Sequence, residues 1–354
     1  MSLSAAIRTV RWMVRDTFRQ AVATKLAWVM LATTAACTAL CLSVSVTGDE
    51  RRAADRDFRG AVTVAEAVRL GREVAAAAGR PDVSADEAER LGRERANADG
   101  VTVAGGQLSL GFGLVTVPIG RSRDDSVRQV MLLLVGAVGD TLGVLLALLW
   151  TAGFLPAFLE PQSATVLLAK PAPRWAILLG KYAGVCLFVG LNAVVFIAGT
   201  WGALGLKTGV WYGSYWLAVP LLVLNFAVFY AVSAFLAVWT RSAVTAAFGT
   251  LLFWALCWAT NSTHHYLLAY PVLDLSGASG LALDASYWFL PKPLDLGAVF
   301  YEAMQAEGFS ARPEEIRLLQ ESGRFHPGLS VAASGAFAAG ALAIAAYEFE
   351  TMDY

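Results

Sequence analysis

Long apolar runs constrain this chain more than any other feature of its sequence. Several reach or exceed the roughly 18–20 residues that cross a bilayer as an α-helix. The 354 residues are 57% hydrophobic and 16% charged, whereas an average soluble domain is about 45–50% apolar and about 25% charged. Because the apolar residues are clustered, the sequence predicts an all-α integral membrane protein with about six transmembrane helices.

Residues 1–25 are expected to form an amphipathic helix at the membrane surface. Apolar residues recur at helical spacing, and a stripe of arginines runs beside them. The expected apolar face consists of Leu3, Ile7, Val10, Val14 and Phe18. The stripe consists of Arg8, Arg11, Arg15 and Arg19. Such a helix lies in the headgroup layer with its arginines on lipid phosphates; a soluble-core or targeting role is the alternative.

The transmembrane helices are expected at six places in the chain. They are residues 26–46, 131–158, 175–206, 214–239, 244–269 and 328–347. An even number of spans puts both termini on one side of the membrane. The distribution of Lys and Arg makes that side the cytoplasm, so we expect a multi-pass protein of the cytoplasmic (inner) membrane with a cytoplasmic tail at 348–354.

Two polar segments are expected outside the membrane. Residues 47–130 predict a small α+β extracytoplasmic domain between the first two spans. There Ser84 and Glu87 have capping-box spacing ahead of a helix, and paired glycines at 104–107 predict a β-hairpin. Residues 270–327 predict a second extracytoplasmic segment with two short helices, the first bracketed by Pro293, Asp295 and Gly308 and the second by Pro313 and Gly323.

A few polar side chains interrupt the apolar runs. Asp140 is the main candidate, because a carboxylate within a span is costly unless it is paired, protonated or hydrated. It lies on a substrate path or dimer interface, or the span is shifted and it lies near the headgroups. Asn192 and Asn225 are weaker candidates and fit hydrogen bonds between helices. His264 and His265 suggest a metal site less than they suggest solvated interfacial histidines.

The sequence contains no recognisable catalytic, metal or cofactor site. Gly180-Lys181 lacks the rest of the phosphate-loop pattern, since Trp175 replaces its first glycine and Tyr182 its Ser or Thr. The three histidines have no zinc-binding spacing. We therefore expect neither an enzyme nor a nucleic-acid-binding protein, and any ATP hydrolysis to reside on another polypeptide.

The segment between the second and third spans carries a distinctive pattern of residues. The pattern reads Glu160, Ala164-Thr165, Leu167-Leu168, Pro171, Arg174 and Gly180-Lys181. It resembles the type-2 ATP-binding-cassette (ABC) transporter permeases, the exporter-type membrane subunits. Ala164 departs from that family, which usually has glycine there. The amphipathic N-terminus, the six-span layout and the acidic tail add to the resemblance.

The resemblance implies that residues 159–174 form a cytoplasmic coupling helix docked on a separate ABC ATPase subunit. The residues it assigns to coupling are Glu160, Pro161, Gln162, Thr165, Pro171, Arg174, Lys181 and Arg241. The implied partners are that ATPase, a second permease subunit in a homodimer or heterodimer, and the lipid bilayer.

Three other interpretations are open at this point. The charges of residues 159–174 serve only to set the topology, or the chain is a non-transporting scaffold that works through residues 47–130. A membrane-embedded enzyme is the third, and Asp140 alone does not supply its catalytic pair.

Overall fold

A computed structural model describes residues 3–47, 61–104, 106–119, 123–156, 173–270, 277–304 and 314–351 of the chain. These residues are mainly helical. The α-helices are α1 Leu3–Ala23, α2 Leu26–Leu42, α3 Val64–Ala77, α4 Ala85–Ala98, α5 Arg123–Leu133, α6 Val144–Thr151, α7 Arg174–Thr208, α8 Ala218–Thr240, α9 Ala243–Ala269, α10 Ala278–Phe289, α11 Pro293–Ala303, α12 Glu314–Glu321 and α13 Pro327–Thr351. A π-helix at Leu134–Gly143 joins α5 to α6, and a 3₁₀-helix at Gly213–Leu217 precedes α8.

Five continuous helical stretches in the described part of the chain are long and apolar enough to cross a membrane. They are Arg123–Thr151, Arg174–Thr208, Gly213–Thr240, Ala243–Ala269 and Pro327–Thr351. A sixth span is obtained if Ala6–Ala23 and Leu26–Leu42, which meet at a 70° bend, are counted together. The prediction of an all-α membrane protein with about six spans is confirmed.

The amphipathic helix α1 is packed on protein along one face. Met13, Thr17 and Ala21 are buried there, whereas Ile7, which the sequence places on the apolar face, is 61% exposed. The apolar face is therefore rotated from the predicted one. Lys25 has a left-handed backbone (φ 61°) between α1 and α2, which turns the chain into the next helix.

Glycines in α7 allow α1 to come close. A Cβ at Gly180 would lie 2.9 Å from the Met13 Cβ, and one at Gly184 would lie 2.7 Å from the Thr17 hydroxyl oxygen. Both distances are shorter than real side-chain contacts, so only glycine fits without a shift. The ring of Phe18 packs edge-on against Phe188 at 5.7 Å, which extends the contact by another turn.

The described residues between the first two spans form two small sheets and the helix pair α3 and α4. In one sheet β2 (Ala61–Thr63) pairs in parallel with β3 (Thr102–Ala104). The cap expected at Ser84 is present, since its side chain accepts a hydrogen bond from the Glu87 amide at the start of α4. A reciprocal capping box at Thr63 and Glu66, which the sequence analysis missed, begins α3.

The hairpin predicted at residues 104–107 is wrong. The other sheet has the order β1 (Ser45–Thr47), β4 (Gly106–Leu110) and β5 (Val115–Ile119), with both pairs antiparallel. The hairpin turn is therefore at 111–114, between β4 and β5. Gly111 and Gly113 have φ values of 63° and 99°, which residues with a side chain rarely adopt, so these glycines supply the reversal.

Among the described residues between the fifth and sixth spans there are three short helices, α10, α11 and α12. Pro293 occupies the first turn of α11, where its missing amide hydrogen costs nothing. This helix packs against α8, α9 and α13, and its residues Asp295 and Leu296 are buried. The segment is thus integrated with the spans through α11.

Candidate functional site

Three helix ends meet at one end of the helical bundle. The helices α7 and α8 are antiparallel, because Tyr182 near the start of α7 donates to the Ala227 carbonyl while Trp201 near its end donates to the Tyr212 carbonyl. The start of α7 and the end of α8 therefore lie at the same end. Arg174 also donates from Nη1 to the Glu350 carbonyl oxygen, at 3.3 Å. We call the surface formed by Arg174, Arg241 and Glu350 the end face.

Arg174 and Arg241 both belong to this end face. Arg241 follows directly after α8, has a left-handed backbone (φ 53°) and is exposed. The remaining coupling residues of the predicted hairpin lie outside the described residues. They are Glu160, Pro161, Gln162, Thr165 and Pro171. Their role stays a prediction. Pro173, the first described residue after them, immediately precedes α7 at the end face.

Lys181 lies apart from the exposed residues of the end face. Its side chain is buried and extends to Asp16 Oδ2 at 3.3 Å and Gln20 Oε1 at 2.5 Å, both on α1. A buried ammonium group is costly without a partner. This geometry favours a role for Lys181 in holding α1 against α7 over direct contact with another subunit.

The arginine stripe of α1 is solvent- or lipid-accessible. Its four residues Arg8, Arg11, Arg15 and Arg19 are all exposed, whereas the opposite face is packed on α7. The predicted contact of these side chains with lipid phosphates is compatible with this placement and stays a prediction.

Asp140 and Asn225 are brought together inside the bundle. Asn225 Nδ2 donates to Asp140 Oδ1 at 2.7 Å, and Asn225 is 1% exposed. Asp140 belongs to the π-helix in the middle of the Arg123–Thr151 stretch, so its placement argues against a position at the headgroups. π-Helical turns are rare and often occur at functional sites.

Two cavities lie near Asp140, and neither is lined by Asn225. One of about 110 Å³ is lined by Asp140, Thr141 and Tyr301, with Leu222 and Phe300 among its apolar walls. The other, of about 100 Å³, is lined by Asn192, Thr34 and Leu222, and Leu222 lines both cavities. Asn192 thus faces a neighbouring cavity and does not join the pair.

Sequence reasoning missed a buried polar network around Asp295. This fully buried carboxylate accepts hydrogen bonds from Asn261 (2.9 Å), Tyr287 (2.6 Å) and Ser330 (2.5 Å), and its Oδ1 lies 3.0 Å from His265 Nε2. Burial alone raises the pKa of Asp295, but the bonds from His265, Ser330 and Tyr287 hold it below its ordinary value. The network joins α9, α10, α11 and α13.

The prediction that His264 and His265 are solvated is wrong. The two side chains are 6% and 3% exposed. His265 faces Asp295, while His264 Nε2 lies 3.2 Å from Asp284 Oδ1 and its ring stacks on Tyr287 at 3.8 Å. Among the described residues no cluster of three His, Cys, Asp or Glu side chains is placed to hold a metal.

These features define the class of the protein as a multi-pass α-helical membrane protein with polar groups inside its helix bundle. Residues 11–277 match the family model of the ABC-2 family transporter protein. The chain belongs to this family, as the resemblance of its residues implied, and is a permease component of an ABC transporter. No curated protein and no solved structure matches the chain.

Membership in this family carries general expectations about catalysis and partners. ABC-2 permeases are normally non-catalytic membrane subunits. They generally partner with an ABC ATPase and often dimerise.

Proposed function

We propose that this chain is the membrane-spanning subunit of an ABC exporter in the cytoplasmic membrane. It forms the substrate path with a second permease subunit and is driven by separate ATPase subunits. Both termini and the end face point to the cytoplasm in this proposal. Residues 159–174 form the coupling helix, and Arg241 provides a secondary contact.

The observation that carries the proposal is the convergence of helix ends at the end face. The predicted coupling segment connects the end of the second span to the start of α7, and Arg174 ties that start to the end of α13. A push on the segment is therefore delivered to more than one span at once. An ATP-driven pump needs contacts that differ between its two states. We place these contacts at the coupling segment.

The polar pair Asp140 and Asn225 supports a path through the bundle. A carboxylate in the middle of a span is expensive and usually functional. Here it borders a cavity of about 110 Å³ that is partly polar. We place the substrate path along this cavity.

The coupling is tested by charge reversal in the hairpin and at the end face. We expect Glu160→Arg and Arg174→Glu each to abolish co-purification of an ABC ATPase with the chain, or to abolish stimulation of its ATP hydrolysis, while membrane insertion is unchanged. The measurement is affinity purification of the tagged chain from its native membrane, with mass spectrometry and an ATPase assay.

Arg80→Glu is the matched control, because Arg80 is exposed in the domain between the first two spans and, among the described residues, its side chain pairs with Glu87 of the same domain. It should leave co-purification and ATP hydrolysis at the level of the unmodified chain. Unchanged ATPase binding and stimulation in both coupling variants would refute the proposal.

A further inference from the structure

We infer that the cavity beside Asp140 binds a protonated amine of the transported molecule. We call this cavity the acidic cavity; it is formed by Asp140 and Thr141 of the second span, Leu222 of α8 and Tyr301 of α11. The inference rests on the proposed function only in assigning the ligand to transport. The binding chemistry itself follows from the side chains.

The acidic cavity is built by the close approach of three elements. Asp140 is positioned by the π-helix and bonded to Asn225 of α8. In α11 Gly297 faces it, where a Cβ would lie 3.4 Å from Asp140 Oδ2. A Cβ at Gly136 would lie 2.6 Å from the Tyr301 hydroxyl oxygen. The two glycines therefore leave room for a carboxylate and a phenol side by side.

The polar groups that line the cavity offer more hydrogen-bond acceptors than donors, because the Asp140 carboxylate only accepts and the Tyr301 hydroxyl supplies a single donor. Asn225, which does not line the cavity, donates from Nδ2 to Asp140 Oδ1 and leaves Asp140 Oδ2 open towards it. No described residue donates to Asp140 Oδ2. Thr141 uses its hydroxyl on the Gly136 carbonyl at 3.1 Å. A ligand that fits must therefore bring donors.

Charge points to the same ligand. A carboxylate away from water is stable only with a proton or a cationic partner, and its described side-chain partner is a neutral amide. An ammonium group supplies positive charge and three donors but no acceptor. An anion would be repelled by Asp140. A multivalent metal lacks ligands, since no cluster of three His, Cys, Asp or Glu occurs in the described parts of the chain.

The size and walls of the acidic cavity suit an alkylammonium group. Its volume of about 110 Å³ exceeds what one water molecule needs, which is about 10–15 Å³ on this measure. Leu222, Phe300 and Ile316 form apolar walls. They cover the carbon chain while the Asp140 carboxylate binds the nitrogen.

The test uses the full chain in nanodiscs and measures reaction of Asp140 with dicyclohexylcarbodiimide. This apolar reagent adds to a protonated carboxyl group, and mass spectrometry locates the adduct. The probe is n-butylammonium chloride. At saturation it should slow labelling of Asp140 by about tenfold or more through occupancy of the site. Tetramethylammonium, which has no N–H donor, and sodium chloride at equal ionic strength should protect far less.

Two variants separate the site from its surroundings. Asn225→Leu should weaken protection by n-butylammonium, because it removes the amide that holds Asp140 Oδ1 in place. Asn192→Leu, in the neighbouring cavity, should leave protection unchanged. As a second readout, n-butylammonium should raise the thermal midpoint of the unmodified chain and not that of Asp140→Asn.

Equal protection by sodium or tetramethylammonium would overturn the assignment to an amine, as would no protection together with no thermal shift. Failure of the proposed function is seen separately, because ATPase co-purification does not involve Asp140. A chain that binds n-butylammonium but no ATPase would retain the site and lose the exporter proposal.

Discussion

At the scale of single residues, Asp295 has the largest number of hydrogen-bonding partners among the buried carboxylates described. Its two oxygens accept bonds from Asn261, Tyr287 and Ser330 and face His265. These partners come from three different helices. Removing the carboxylate would leave several buried donors without acceptors, and each such group costs about 1–3 kcal/mol.

Asp295→Ala is therefore predicted to lower the free energy of unfolding by about 3–5 kcal/mol, as when one partner of a buried ionic pair is removed. Asp295→Asn should cost less, because it keeps one acceptor oxygen. Thermal and denaturant unfolding of the chain in nanodiscs would measure both. Asp284→Ala is the control: this carboxylate faces His264 but its side chain is 61% exposed, so the loss should be at most about 1 kcal/mol. Equal losses in the two alanine variants would contradict this account.

Individual polar residues show what the sequence alone can and cannot reveal. Asp140 and Asn225 are visible because they interrupt apolar runs, but nothing in their spacing shows that they bond to each other. The burial of His264 and His265 is likewise not visible in the sequence, because it depends on partners that are distant along the chain. Asp295, the partner of His265, lies in a segment expected outside the membrane. The contact between the two side chains therefore depends on the tertiary packing of α11.

At the scale of elements, α3 and α4 make the closest helix contact in the domain between the first two spans. A Cβ at Gly71 would lie 1.7 Å from the Ala88 carbonyl oxygen, and one at Gly92 would lie 1.8 Å from the Ala67 carbonyl oxygen. The two glycines thus face each other's helix reciprocally. Side chains cannot be accommodated at these positions unless the backbones separate.

Gly71→Ala and Gly92→Ala are each predicted to destabilise the α3–α4 pair. The expected loss is about 1–3 kcal/mol, the usual cost of overpacking. Hydrogen exchange of the amides in α3 and α4, measured in the full chain, should accelerate by about tenfold per 1.4 kcal/mol. Ala76→Ser, on the exposed side of α3, should leave exchange almost unchanged. Exchange in the glycine variants that matches this control would refute the close-contact explanation.

Hydrophobic pattern reveals elements better than it reveals their pairing. The sequence places the third span at 175–206, and α7 covers Arg174–Thr208, since a long apolar run has one strong interpretation. The strand β4 pairs with the distant β1 and, across a short turn, with β5. The paired glycines at 104–107 indicate neither partner, so they predict the wrong neighbour. The π-helix at Leu134–Gly143 was not predicted, because a π-helical register has the same apolar composition as an ordinary span.

At the scale of the whole molecule, the arrangement of the spans fixes which segments share a side of the membrane. The start of α7 and the end of α13 lie together, because Arg174 bonds to Glu350. The helices α3 and α4 precede the second span, whose far end leads to the segment before α7. If Arg123–Thr151 crosses the bilayer, the α3–α4 domain and residues 159–174 lie on opposite sides.

Cysteine labelling on intact cells tests this arrangement together with the inward orientation of the coupling segment. After replacement of the native Cys37, Cys41, Cys186 and Cys257, one cysteine is introduced at a time. Ala78→Cys, at the exposed end of α3, should react with an impermeant maleimide on intact cells. Gln162→Cys should react only after permeabilisation, and Thr351→Cys should behave in the same way, because α13 ends beside Arg174. Labelling of Gln162→Cys from outside would place the coupling segment away from any cytoplasmic ATPase. Labelling of Ala78→Cys and Gln162→Cys from the same side would show that Arg123–Thr151 does not cross the membrane.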